Sequence, residues 1–285
     1  MPTTADGSRE TRKLEFGAMD RAELLEAADR NVAVVLRHFA ANAEGAVMSE
    51  GSAALLVAAA VPYPGAFHNA ALRLDPSSNA ETVLDEMLRF SAEHDRDVIL
   101  WASTHRDADL ETAAERAGLQ FRSTTVGMAI DAPPDKPAVA GRVDLVRVTD
   151  AADAAQFAAV HEQLFRESGR SPDAVAHFAS PRALLAPNAA AFIARLEGRP
   201  VACAMAVTSG QEAGVYWVAT RADARRRGFG ELVARAATRA GFEQGARVVV
   251  LQSTEQGVPL YRRLGFTPFT AYARYLANPC QPPSK

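Results

Sequence analysis

Val215-Tyr216-Trp217-Val218-Ala219-Thr220, followed by Ala224-Arg225-Arg226-Arg227-Gly228-Phe229-Gly230, decides how this 285-residue chain is read. The first run is apolar and rich in β-branched and aromatic residues, so it predicts a strand. Downstream of the arginines, Phe229, Leu232, Val233, Ala236, Ala237 and Ala240 recur at spacings of three and four. That spacing predicts a helix with one apolar stripe against a sheet, and Gly241 and Gly245 are expected to end it. Between strand and helix lies a basic, glycine-bearing turn. Its glycines let backbone approach an anion without a Cβ in the way, and the first helical turn offers N–H groups that no intrahelical carbonyl takes. Helix dipole and arginines add positive potential, so the natural guest is a pyrophosphate. The plainer alternative, a solvated basic helix start, leaves the flanking strand and glycines without a purpose.

Working outward, the composition is that of an ordinary globular protein, 48% hydrophobic and 23% charged, and the length suggests two cores. Residues 1–13 are polar with no apolar core of a signal peptide and read as a disordered leader; Ala53–Val61, the longest uncharged apolar stretch, is too short to span a bilayer. Cytoplasmic placement is therefore expected. Two cysteines, Cys203 in an apolar strand candidate and Cys280 in a Pro-rich tail at 278–285, support neither a disulfide framework nor a metal site. The net charge of -3 conceals an asymmetry: residues 1–142 hold 14 Lys and Arg against 22 Asp and Glu, and residues 143–285 hold 17 against 12. The anion-binding half is the second. Nucleic acid would also tolerate a basic patch, but this excess is modest and gathered at one turn.

Asp131-Ala132-Pro133-Pro134-Asp135-Lys136-Pro137 breaks both helix and strand near mid-chain, so 131–142 reads as a linker between units at 14–130 and 143–277. The first unit opens with a helix over about 21–41, where Leu24, Leu25, Ala28, Val32, Val35, Leu36 and Phe39 share a face. Strands, helices and strands then alternate in both units. A weak repeat links them: Ala114-Glu115-Arg116-Ala117-Gly118-Leu119-Gln120-Phe121 echoes Tyr261-Arg262-Arg263-Leu264-Gly265-Phe266-Thr267. In the first unit the turn equivalent to the arginines reads Asp75-Pro76-Ser77-Ser78-Asn79, with no glycine, and Ala114 stands for Tyr261.

With both motifs in order, the second unit resembles the GNAT acetyltransferase superfamily. Arg225-Arg226-Arg227-Gly228-Phe229-Gly230 fits that family's R/Q-x-x-G-x-G/A pyrophosphate loop, and Leu260-Tyr261-Arg262-Arg263-Leu264-Gly265-Phe266 its L-Y-x-x-x-G-F segment. The resemblance covers about 143–276 and implies an α/β (α+β) fold: two GNAT-like domains in tandem, each a mixed, mostly antiparallel sheet flanked by helices, the first degenerate. It implies acetyl-CoA as cosubstrate. The pantetheine arm would run beside Trp217 and Val218, with the pyrophosphate on Arg225, Arg226, Arg227, Gly228, Phe229 and Gly230. Thr254 would touch the arm where the family often has asparagine. Tyr261 carries over as the acid that protonates the departing thiolate. A phenol near pKa 10 donating to a thiolate near about 8.5 is a modestly uphill transfer that a positive neighbourhood would ease.

No family motif names the base. Glu212 at the start of the same strand is the first candidate, and His161 and Glu162 on the preceding helix follow. Each has a plainer reading: Glu212 as a solvated loop carboxylate, the other two as ordinary helix-surface residues, Tyr261 as a core tyrosine, Trp217 as packing. Cys203 as an acyl-carrying nucleophile is disfavoured, because burial raises a thiol's pKa and no histidine is placed beside it. The expected partner is a small molecule with a primary amine, weakly a cationic one, and no nucleic acid or membrane. The alternative is a CoA-binding regulatory module whose chemistry has lapsed.

Overall fold

The structure, a computed structural model, describes residues 19–62, 65, 67–138 and 141–277. The leader at 1–13 and the tail at 278–285, with Cys280, lie outside them. The first half contains α1 (Arg21–Asn42), β1 (Val47–Glu50), β2 (Ala54–Ala58), β3 (Ala70–Arg73), α2 (Ala80–His94), β4 (Val98–Ser103), α3 (Ala108–Arg116) and β5 (Gln120–Ile130). The second contains β6 (Val143–Arg147), α4 (Ala151–Glu167), a 3-10 turn at Pro172–Val175, and the short α5 (Ala176–Ala179) and α6 (Pro181–Leu184). It continues with β7 (Ala189–Leu196), β8 (Arg199–Ser209), β9 (Glu212–Thr220), α7 (Phe229–Glu243), β10 (Val248–Ser253), α8 (Val258–Arg263) and β11 (Thr267–Ala277).

All eleven strands join one sheet in the order β1-β2-β3-β4-β11-β5-β10-β9-β8-β7-β6. Two pairs are parallel, β3 with β4 and β9 with β10, one in each half, and the rest are antiparallel. The last strands are exchanged: β11 of the second half lies between β4 and β5, and β5 of the first half lies between β11 and β10. A continuous ladder therefore replaces a loose contact between halves.

Helices cover both faces. On one, α2 and α3 bury Val83, Met87 and Leu110 against Leu100 and Tyr275, and α7 buries Val233 and Ala237 against Val249 and Met128. On the other, α1 crosses the exchanged strands. Its Leu24 and Ala28 meet Val250 and Ala129, Val32 and Leu36 meet Tyr272, and Phe39 joins Phe157, Phe178 and Tyr216 beneath α4. α1 starts with a capping box: Asp20 accepts from the Glu23 N–H at 2.9 Å, and Glu23 accepts from the Asp20 N–H at 3.0 Å. Mid-helix, Asn31 reaches the second half, its Oδ1 accepting from Tyr216 Oη at 2.5 Å.

One local expectation changes, and one strand went unforeseen. α7 continues through Gly241 to Glu243, because Gly241 faces the sheet; a Cβ there would lie 2.8 Å from Ala213 Cβ and 3.1 Å from Val249 Cγ2. Glycine thus lets the helix seat closely without ending it. β1, exposed along its length, carries no apolar alternation that would have announced it.

Candidate active site

The cleft begins where β9 and β10 part. Their parallel pairing runs through Glu212–Val248, Ala213–Val249 and Gly214–Val250 and stops. From there β10 stays with β5, through Leu251–Met128 to Ser253–Val126, while β9 stays with β8. The β10-facing edge of β9 beyond Gly214 is left without a neighbouring strand. On its other side the register jumps from Met205–Tyr216 to Cys203–Ala219, so Trp217 and Val218 together oppose Ala204. Trp217 takes the extra residue of this bulge with φ +52°, a left-handed conformation that costs a bulky side chain energy and needs surrounding support. Support is present. The Trp217 indole stacks on Phe178 with centroids 3.5 Å apart and planes 5° from parallel, and its carbonyl accepts from His161 Nε2 at 3.0 Å.

The parted strands open a cleft of about 980 Å³ lined by Trp217, Val218, Ala219, Thr220, Arg225 and Thr254, among others. Four of the sequence-chosen residues, Trp217, Val218, Arg225 and Thr254, thus share it. Beyond Arg225 the chain turns through Arg226 (φ +59°) and Gly228 (φ +85°) into α7, whose start has no side-chain cap. Phe229 is buried in the α7 core, so only its backbone can serve an anion, and the Arg227 guanidinium lies 5.2 Å over its ring. Gly230 lies tight against β9, where a Cβ would come 3.0 Å from Thr220 Oγ1. Gly228 also borders a second cavity of about 320 Å³ with Asp135 and Lys136.

Glu212 is not brought to this cleft. It sits five residues before Trp217, about 16 Å along an extended strand. It is buried, and its Oε1 accepts from Arg30 Nε at 3.1 Å. The loop-surface reading of Glu212 fails because its partner lies on a helix 182 residues away. His161 does line the cleft. Burial lowers its pKa to about 4, so the ring is neutral, and donation from Nε2 to the Trp217 carbonyl leaves Nδ1 as the basic nitrogen. Glu162 instead pairs with Arg166 on the helix surface at 2.9 Å. Tyr261 lies on α8, packed edge-on to Phe266 with centroids 5.9 Å apart, one turn beyond the cleft-lining Gly257. Burial pushes its phenol up. Cys203 is fully buried, and burial raises its thiol well above the usual range, which leaves it inert.

Among the lining residues that escaped the sequence reading are Gly65 and Phe67 from the first half, and Arg274 from β11. The first two could only be placed by the tertiary fold. An arginine among alternating apolar residues was a visible signal that a strand puts a charge on a covered face. Around Phe67 the two halves form an aromatic seam. Its ring lies 6.0 Å from Trp217 and 5.0 Å from Trp101, while His68 and His177 stack 4.9 Å apart. His68 Nε2 bonds the Ala174 carbonyl at 2.8 Å, and His177 Nε2 bonds the Phe67 carbonyl at 3.0 Å, each crossing between halves. Among the described residues no helix is long and apolar enough to cross a membrane, and no three His, Cys, Asp or Glu side chains gather as a metal site.

The model of the Acetyltransferase (GNAT) family matches residues 155–266. No curated protein matches the chain. Among solved structures it is similar to a GCN5-related N-acetyltransferase from Kribbella flavida, at 20% identity and TM-score 0.67, over 87% of this chain and 95% of that one. A tandem GNAT protein from the clavulanic acid biosynthesis pathway aligns over 93% and 96% at 14% identity and TM-score 0.59. A GCN5-related N-acetyltransferase from Sphaerobacter thermophilus aligns over 93% of each chain at 16% identity and TM-score 0.54. These likenesses reach across both halves, so the first half is GNAT-like in fold as well. Residues 155–266 thus match the GNAT acetyltransferase family model, and the chain as a whole has the fold of two GNAT-like halves.

Proposed function

We propose that the protein is an acetyl-CoA-dependent N-acetyltransferase that acylates a primary amine of a small molecule by direct attack in a ternary complex. The observation that carries this reading is the unpaired edge of β9 beyond Gly214, leading straight into the uncapped start of α7. A pantetheine arm has amides that can pair with such an edge as an added strand would, and the helix start suits the pyrophosphate that follows it. Arg225, Arg226 and Arg227 supply positive charge there, and Gly228 and Gly230 let the backbone close on the phosphates. Thr254 bonds the arm from the β10 side.

In this reading the amine lone pair attacks the thioester carbonyl, and backbone N–H groups of the Trp217–Val218 bulge receive the oxyanion. The C–S bond then breaks, leaving amide and CoA thiolate. Two protons move: the amine gives one to a base, and the thiolate takes one from an acid. His161, neutral and lining the cleft, replaces Glu212 as the favoured base, acting directly or through water; the burial that keeps it neutral also makes it a weak base in the free protein, a cost the occupied cleft must offset. Tyr261 is the candidate acid. Its raised pKa makes donation harder in the free protein, and the arginines of the turn and a bound thiolate leaving group are what would draw the proton out.

The test is CoA-thiol release over a panel of amines, beside calorimetric CoA binding. Tyr261→Phe should leave CoA affinity near wild type and lower kcat by about 100-fold, the low end for loss of a general acid. Tight CoA binding with no thiol release from any amine would overturn acetyl transfer in favour of a regulatory CoA-binding module.

A further inference from the structure

Among the described residues Arg274 is an arginine without a carboxylate. Its Nη2 donates to Ser123 Oγ at 2.6 Å and its guanidinium lies 5.8 Å over the Trp101 ring, while Nε is buried with no hydrogen-bond partner among them. Desolvation lowers its pKa. Elsewhere the inward-facing arginines are matched, Arg73 by Asp107 and Asp109, and Arg106 by Asp29. An unpaired, desolvated guanidinium is costly to keep, and a site that binds an anion has a use for it.

The surroundings point the same way. Arg274 lines the acetyl-transfer cleft, where the other charged lining side chains among the described residues are Glu167, Arg170 and Arg225. Glu167 already receives Gln163 Nε2 at 2.7 Å. On the same sheet face two more buried polar groups lack partners: Thr125 Oγ1 on β5 and both amide atoms of Gln252 on β10. Tyr272 pairs with Thr125 and Arg274 with Ser123, so Thr125 is diagonal to Arg274, and Gln252, opposite Gly127, is diagonal to Thr125. Diagonal neighbours lie about 7–8 Å apart, so the three form one polar stripe running from the cleft-lining Arg274 beneath the sheet face. The floor between this stripe and the bulge is apolar: Phe67 touches both Trp101 and Trp217.

We propose that the acceptor is an amine that also carries a carboxylate on an apolar body, and that Arg274 receives the carboxylate. This rests on the acetyltransferase reading above and names its substrate class. It replaces the expectation of a purely cationic amine, since the acidic excess of the first half does not reach this cleft. Arg274 is a specificity residue: its guanidinium fixes the acceptor so that the amine faces the thioester beside Trp217.

The experiment measures thiol release from acetyl-CoA with matched pairs, 6-aminohexanoate against hexylamine and phenylalanine against phenethylamine, for wild type, Arg274→Gln and Arg274→Lys. Wild type should prefer the acid in at least one pair by roughly 10- to 100-fold in kcat/KM, the range of one charged hydrogen-bonded contact. Arg274→Gln should erase that preference mainly through KM, and Arg274→Lys should restore part of it. The melting temperature of Arg274→Gln should be unchanged or raised, which separates lost recognition from lost folding. Equal or better turnover of the decarboxylated amine overturns the proposal. So does an Arg274-dependent preference for succinyl-CoA over acetyl-CoA, which would give the carboxylate to the donor. If no amine releases thiol, the parent reading has failed, and calorimetry of CoA-loaded protein with N-acetylphenylalanine and its amide decides this one: tighter, Arg274-dependent binding of the acid upholds it, and equal binding ends it.

Discussion

α2 and α7 stand at equivalent places, each following the first strand of its half's parallel pair, yet they begin in opposite ways. Asn79 Oδ1 takes the N–H groups of Glu81 and Thr82, at 2.8 and 3.4 Å, so α2 satisfies its own first turn. α7 begins on Gly228 with no side-chain cap. At the end of β3, Arg73 is folded inward, donating to the Ser78 carbonyl and to Asp107 and Asp109, whereas the end of β9 faces an open cleft. In the first half, side chains occupy the positions that the second half leaves for a ligand. On the function proposed above, a fold repeated twice serves once as structure and once as receptor, and a few residues at one turn separate the roles.

The contrast is broken most thoroughly where the halves meet. Burial holds His68 at about 3 and His161 and His177 at about 4, all below the unfolded value near 6.5. The unfolded chain therefore binds protons first. Stability is complete above about pH 6.5 and declines as pH falls toward 4, by up to about 1.4 kcal/mol per pH unit for each histidine. Urea denaturation between pH 7.5 and 4.5 should show this slope, and His177→Gln should reduce it.

Arg73→Met attacks the filled half directly. It takes one of two arginines from the fully buried Asp107, which keeps the Ser103 N–H and Arg106, and should cost about 2–3 kcal/mol in denaturant unfolding. Gly228→Asn tests the open half by lending α7 a side-chain acceptor of the kind α2 has. Asparagine tolerates the left-handed backbone at this position, so the fold should persist while CoA affinity by calorimetry falls about 30-fold, the worth of one to two charge-assisted hydrogen bonds. Asn79→Ala is the mild counterpart: about 1 kcal/mol of stability lost, with CoA affinity unchanged.

Much of this was legible in the chain. Helices with continuous apolar stripes, such as α1 and α7, announce themselves, and the arginine-glycine turn stands where the sequence put it, between β9 and α7. What failed depends on distant partners. Glu212 looks like a loop carboxylate until Arg30 on α1 is brought beside it. The bulge that turns Trp217 leaves no trace in an unbroken apolar run, because register is a property of the pair of strands. The exchange of β5 and β11 is hidden for a related reason: as repeats of one element they suit each other's places almost equally well. Arg274 carried a readable clue, but its lack of a carboxylate among the described residues emerges only when its neighbours are in place.

The exchange also constrains how the protein is made. In the finished sheet β4 is bordered by residues 267–277, which the ribosome delivers more than 160 residues after β4 itself. Until then the first half must hold an open edge or pair β4 with β5 directly, and that early pairing has to part before the late strand can enter. Nascent chains stalled before residue 267 should accordingly be more protease-sensitive around β4 and β5 than the finished protein, and their maturation should be slow, as for other long-range strand insertions.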